Sequence, residues 1–174
     1  GISCTGEVCT IVQVTVSMPA AAAYQGGSEL TVDTAKTGAA SAAAQTAAAV
    51  VAGQQGSSDY EKLRAYLTYI TGEVSYNSGA LAAGTAYGDP WQVIYVFDGD
   101  SSTNVVCEGY AKAFQLLMNA AGVANAYIIG LGNGGGHAWN MAQMDDGYYY
   151  YFDVTWNDST SSDKYFAAGE TSFS

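Results

Sequence analysis

The sequence predicts an α+β fold in which one amphipathic helix packs on an antiparallel β-sheet, and three patterns carry that expectation. Tyr110, Phe114, Leu117 and Ala121 recur at the spacing of one helical face, and Gly122 follows as a stop signal. His137 opens a run that alternates to Met144, Asp145-Asp146-Gly147 supplies a turn, and Tyr148 to Thr155 continues as a second strand. Ser58-Asp59-Tyr60-Glu61 matches a capping box, in which the Ser58 hydroxyl accepts from the Glu61 amide and the Glu61 carboxylate reaches back to the cap.

Taken in order, the chain opens with two of its three cysteines, Cys4 and Cys9, close together in Ser-Cys-Thr-Gly-Glu-Val-Cys. The spacing suits a small disulfide loop, which would imply an extracellular or cell-surface home and leave Cys107 as the free thiol. Two free thiols or half of a metal site are the alternatives. The metal is disfavoured because the chain has one histidine and no further cysteine pair to complete a zinc set. From Thr10 to Met18, Val12, Val14, Val16 and Met18 alternate with Gln13, Thr15 and Ser17 as in a half-buried strand, which Pro19 ends. Gly26-Gly27 breaks the chain before an alanine-rich stretch, Thr34 to Ala52, that propensity makes helical and Gly53 stops. A covering helix is expected there; a linker is the alternative, since a run of alanines defines no apolar face. Residues 1–56 therefore read as an N-terminal strand and covering segment, and 57–174 as the core, with one compact domain overall.

The capping-box helix places Tyr60, Leu63, Leu67 and Ile70 on one face and ends at Gly72. Between Thr85 and Val106 turn signals bracket an apolar run rich in Tyr, Trp and Phe. Tyr87 and Trp91 are expected to pack in the core, with a place on the rim of a cleft as the alternative. Val123 to Leu131 reads as a buried strand. The glycines of Gly132-Asn-Gly-Gly-Gly136 lack the Lys-Ser/Thr ending of a phosphate-binding loop and are expected to permit close approach to a site instead.

Composition narrows the partners. A chain of 174 residues fits one domain of ~100–200 residues, and 49% hydrophobic content supplies one core. Sixteen acidic residues against five basic ones give a net charge of −11, which argues against nucleic acid or anionic lipid and favours neutral or cationic substrates. No run of 18 apolar residues occurs, so no membrane insertion is expected. The N-terminus lacks a basic, apolar signal pattern, which suits a soluble, already processed chain.

Cys107 falls in the first turn of the predicted helix, where unpaired N–H groups and the positive end of the macrodipole favour an anion, so a thiolate costs less there than elsewhere. A cysteine buried in a core helix is the plain alternative. His137, the only imidazole in the chain, and Asp153 lie downstream, and a Cys, a His and an Asp distant in sequence are what a Cys-His-Asp triad needs. The imidazole takes the thiol proton and the carboxylate orients the ring; for Asp153 a turn-capping role is the alternative. The hairpin sets a test. With a three-residue Asp145-Asp146-Gly147 loop and Gly147 left-handed, opposed residue numbers add to 292, Trp139 faces Asp153, and His137 and Asp153 share a face. A two-residue turn would give 293 and separate them. The three-residue loop is expected.

Cys107-Glu-Gly-Tyr-Ala, His137-Ala-Trp-Asn and Asp153-Val-Thr-Trp-Asn-Asp, in that order, resemble the bacterial branch of the transglutaminase-like superfamily, and the resemblance spans roughly residues 59 to 158. It implies a papain-like core with Cys107 as nucleophile, His137 as proton carrier and Asp153 as orienting group, acting through a thioester on peptide or side-chain amide bonds of a protein or peptide substrate. Hydrolysis is favoured over transfer to an amine, and no metal or organic cofactor is implied; the acidic residues form no EF-hand pattern. The Cys107 amide is the first candidate oxyanion donor. Tyr76 and Asn77 resemble the family's Tyr-Asp or Tyr-Asn pair, with a strand edge as the alternative. Many relatives carry an Ala-Tyr-Gly segment closer to the cysteine, so residues 89–101 read as an extension here. The rival from another class is a non-catalytic binding or structural module at the cell surface. A zinc enzyme is weaker still, given the single histidine.

Overall fold

The computed structural model describes residues 2–5, 8–11, 25–28, 30–81 and 93–170. The expected strand beyond Ile11, and Tyr87 and Trp91, lie outside the described residues. The chain groups into two compact units, 1–38 and 39–174. In the first, β1 (Ile2–Thr5) pairs antiparallel with β2 (Val8–Ile11), and the register sets the backbone of Cys4 opposite that of Cys9. The side chains of residues 1–24, and with them the expected Cys4–Cys9 bridge, lie outside the described ones. Asp33 caps a short 3-10 turn, Thr34–Lys36, by accepting from the Ala35 amide at 3.0 Å.

The larger unit is α+β. Its first helix, α1 (Gly38–Ala52), buries Ala43 and Ala47, spaced four apart on a single narrow stripe, which is what a helix of small side chains can offer. The second, α2 (Asp59–Glu73), starts as its sequence predicts: the Ser58 hydroxyl accepts from the Glu61 amide at 3.3 Å, and the Ser58 amide donates to the Glu61 carboxylate at 2.9 Å. Its buried face is Leu63, Tyr66, Leu67 and Ile70. Tyr60, expected on that face, is 49% exposed and instead meets Phe166 edge-on at 5.3 Å, while Tyr66, three residues after Leu63, takes the core position.

The third helix, α3 (Cys107–Ala120), buries Tyr110, Ala113, Phe114, Leu117 and Met118. Gly122, at φ 75°, takes the left-handed conformation that turns the chain straight back into the sheet, and the Val123 amide closes on the Met118 carbonyl at 3.0 Å. The sheet has the order β3 (Asn125–Gly132), β4 (Gly135–Gln143), β5 (Tyr149–Phe152), antiparallel throughout. Asn140 pairs with Phe152 and Met141 with Tyr151, so opposed numbers in the second hairpin add to 292. Gly147 sits at φ 82°, and Met144 and Tyr148 flank the three-residue loop through a 2.9 Å bond. The strand ends earlier than its sequence suggests. Phe152 is the last residue of β5, and Val154–Thr160 forms a helix, α4, instead of continuing to Thr155.

Helix α3 covers one face of the sheet. Buried Asn140 ties the two layers by donating to the Ala111 carbonyl at 3.0 Å, and Phe114 meets Phe152 at 5.6 Å between ring centres. Asn125 accepts from Gln115 at 3.2 Å and donates to Asn119 at 2.7 Å, which fixes the start of β3 beside the last turns of α3. A helix climbs about 1.5 Å per residue and a strand about 3.4 Å, so the roughly 15 Å back to Cys107 is matched by four to five strand residues. Strand β3 thus runs back along α3, and Gly130 on it is paired with His137. The tight turn at Gly122 sets the register that carries the histidine to the cysteine.

Candidate active site

Cys107 is the first residue of α3 and half-buried. The chain reaches it extended, at Val106 φ −92° and ψ 177°, and Val106, an apolar residue at the N-cap, makes no side-chain capping bond. The approach is anchored by the Asn77 amide on the Val105 carbonyl at 2.9 Å and by the Ser75 amide on the Asn104 side chain at 2.7 Å. A Cβ on Gly109 would stand 2.6 Å from the Cβ of Val105, so the corner between entering chain and helix closes only with glycine there. Glu108 pairs with Lys112 one turn on.

His137, only 8% exposed, lies 2.6 Å through Nε2 from an Asp153 oxygen, and Asp153 is fully buried. Nδ1 is then the nitrogen left to the thiol. Burial works against the charged ring; the hydrogen bonds to Asp153 and then to Cys107 outweigh it and raise its pKa to about 9. The ring lies almost parallel to Trp156, at 4.6 Å and 13°, and to Trp139, at 5.8 Å and 25°. Two glycines on β3 make room for these rings. A Cβ on Gly132 would fall 2.8 Å from Trp156 and 3.1 Å from His137, and one on Gly130 would fall 2.5 Å from Trp139. The close approach expected of Gly132 to Gly136 is made by its first residue, Gly132, and by Gly130 before it, both in the strand.

Asp153 directly follows β5 in extended backbone, at φ −118° and ψ 91°, and has a second role there. It is the N-cap of α4: one oxygen accepts from the Trp156 amide at 3.0 Å, and the other faces the imidazole. Its own amide donates to the Tyr165 carbonyl at 2.9 Å. The capping role and the orienting geometry coexist on one carboxylate. Two further side chains, Tyr76, expected in a family-like pair or at a strand edge, and Tyr110, expected on the apolar face of the helix, lie near these elements. Tyr76, bridged in parallel to Val105, has its phenol pKa raised by burial and then by the charge of Cys107. Tyr110, fully buried, donates to Asp158 at 2.5 Å and links α3 to α4; burial and then that bond raise its pKa.

Among the described residues no group of three or more His, Cys, Asp or Glu is placed to hold a metal, and no helix is long and apolar enough to cross a membrane. A concavity of about 350 Å³ lined by Tyr60, Met144, Asp145, Asp146, Tyr150 and Ala167 contains none of Cys107, His137 and Asp153.

Because the chain has one histidine, its ring protons can be followed singly by NMR. The titration midpoint is expected near 9, above the ~6.5 of a free imidazole. With the folded value raised, the charged ring contributes stability that is fully present below ~6.5 and lost as pH rises through about 9. A midpoint at or below 6.5 would remove the ion pair from the site.

Residues 30–154 match the model of the transglutaminase-like superfamily. No curated protein matches the chain. Of the solved structures, a TGase known from its crystal structure superposes with a TM-score of 0.56 at 17% identity, over 74% of this chain and 35% of that one. A candidate cysteine protease of Cytophaga hutchinsonii gives a TM-score of 0.47 at 22% identity, over 65% and 37%. The chain thus spans 35 to 37% of the length of these two.

Proposed function

Since the chain belongs to the transglutaminase-like superfamily, we propose that Cys107, His137 and Asp153 are its catalytic triad and that it cleaves peptide or side-chain amide bonds of a protein or peptide substrate through a thioester. The family match supports a cysteine-dependent enzyme in general. The observation that carries the finer reading is the buried 2.6 Å contact between His137 and Asp153, with Cys107 as the ring's other hydrogen-bond partner.

In this mechanism the Cys107 thiol gives its proton to Nδ1 of His137, and the sulfur attacks the amide carbonyl carbon. The oxygen that gains charge lies at the start of α3, where the Cys107 amide is a ready donor. As the C–N bond breaks, His137 returns the proton to the leaving amine, and the acyl group stays on sulfur. Water, activated by the same nitrogen, then attacks the thioester carbonyl and releases acid and thiol. Asp153 takes no proton; it holds Nε2–H so that Nδ1 faces the sulfur. An amine in place of water would give transfer, and hydrolysis is the favoured outcome.

The test is to incubate the protein with a glutaminyl peptide library, with and without a primary amine, and to read intact mass and products together. Acylation at Cys107 with the free acid as main product is expected. Amine adducts in excess would move the reading to acyl transfer. No acylation of Cys107 by any peptide would replace the enzyme with a binding module.

A further inference from the structure

We infer that Tyr110 and Asp158 are positioning residues for the triad: their hydrogen bond fixes how the helix that carries Cys107 stands against the helix whose cap orients His137, and the inference rests on the triad reading above. Tyr110 follows Cys107 by three residues, one turn on along the same side of α3. Its ring is fully buried, and its hydroxyl donates to Oδ2 of Asp158 at 2.5 Å. The Val74 carbonyl, 3.4 Å from the same hydroxyl, is the weaker partner. Asp158 lies on α4, five residues after the Asp153 cap and two after Trp156, whose indole stacks on the imidazole at 4.6 Å. One bond therefore spans the two halves of the site.

Other described bonds of α4 run elsewhere. The Asp153 amide on the Tyr165 carbonyl at 2.9 Å and the Tyr165 amide on the Asn157 side chain at 3.1 Å tie this helix to the chain that follows it. On α3 the next residue, Ala111, accepts from Asn140 at 3.0 Å and so anchors β4, the strand of His137. Tyr110 thus does for the group that orients the ring what Ala111 does for the strand that carries it. The lever is short. From Asp158 back to Asp153 α4 covers about 7.5 Å, so a tilt of about 10° would carry the carboxylate by about 1.3 Å. A misplacement of ~1 Å in a site of this kind costs up to about 10²-fold in rate. Burial and then the bond to Asp158 push the phenol's pKa up, so it remains a donor at every working pH.

The experiment follows alkylation of Cys107 by iodoacetamide against pH, with the site read by peptide mapping, in the native protein, Tyr110→Phe, Asp158→Ala and Asp158→Asn. An imidazole held in place keeps the sulfur ionised below the ~8.5 of a free thiol, so the native rate is expected to persist at about pH 6. In Tyr110→Phe, which keeps the ring and loses only the hydroxyl, and in Asp158→Ala, the rate at that pH is expected to fall about tenfold. At about pH 10 the thiol ionises without help, and both rates are expected to stay within twofold of native. Asp158→Asn still offers an oxygen to the phenol and is expected to react at least threefold faster at the lower pH than Asp158→Ala. A bond that only holds the fold would lower the melting temperature of these variants and leave the acid limb where it stands in the native protein. Should Tyr110→Phe misfold, the comparison of Asp158→Ala with Asp158→Asn carries the test. A fall of less than threefold at the lower pH in the folded variants, or an alanine-to-asparagine difference below threefold, overturns the inference alone. A native acid limb that ignores His137→Ala overturns the triad, and the inference with it.

Discussion

Substitution of His137 by alanine is expected to lower kcat/KM for peptide hydrolysis by about 10³- to 10⁴-fold, the usual cost of removing one member of a coupled triad. No second imidazole exists to replace it. The loss has two parts that can be separated. The thiol loses its proton acceptor, and Asp153, fully buried, keeps only the Trp156 amide on its side chain among the bonds described above. Leaving a buried carboxylate short of a partner costs about 1–3 kcal/mol, so a lower melting temperature should accompany the lost activity. Imidazole added to the variant has a ring-sized space between Trp139 and Trp156 to occupy, and partial recovery of rate would assign the loss to proton transfer. Activity within tenfold of the native protein would show that His137 is not the base.

Asp153→Ala is expected to reduce the same rate by about 10²- to 10⁴-fold and also to destabilise the protein, because it removes the acceptor for Nε2 and the cap of α4 together. Loss of an N-cap alone costs roughly 1 kcal/mol. Asp153→Asn divides the two roles. Asparagine caps helices as well as aspartate does, so the melting temperature should stay near the native value. Its amide is neutral and cannot support the charged ring, so the midpoint of the His137 titration should fall from about 9 and the alkaline limb of the rate profile should move to lower pH with it. Kinetics, melting curves and the single-histidine titration on both variants read this out. Equal activity loss with equal destabilisation in both would mean that Asp153 acts only as a cap.

Much of the fold was legible where a local signal is self-contained. Ser58 with Glu61 marked the start of α2, Gly122 the end of α3, and Asp145-Asp146-Gly147 the loop whose length puts His137 on its face of the sheet. The stretch after Phe152 was less transparent because two preferences compete there. Val154-Thr155-Trp156 are strand formers by propensity, while Asp153 is a strong helix cap, and the cap prevails once its carboxylate also has His137 to face and its amide has Tyr165. Tyr60 left the face expected of it, and Tyr66 was buried without having been singled out. Helical spacing leaves the edge of the apolar face open, and Tyr60, on the first turn, meets Phe166 edge-on while Tyr66 is buried. Asn140 could be quoted as part of a motif, yet its bond to Ala111 needs the two layers to be assembled before it can be seen.

Gly130 and Gly132 have a consequence for how this protein would respond to systematic mutagenesis. At most positions an alanine scan asks what is lost when atoms are taken away, and these two have no side-chain atoms to lose. Yet a single methyl group at Gly132 would press on the indole of Trp156 and on the imidazole at once. The part these residues play is a vacancy, so their importance shows only when something is added.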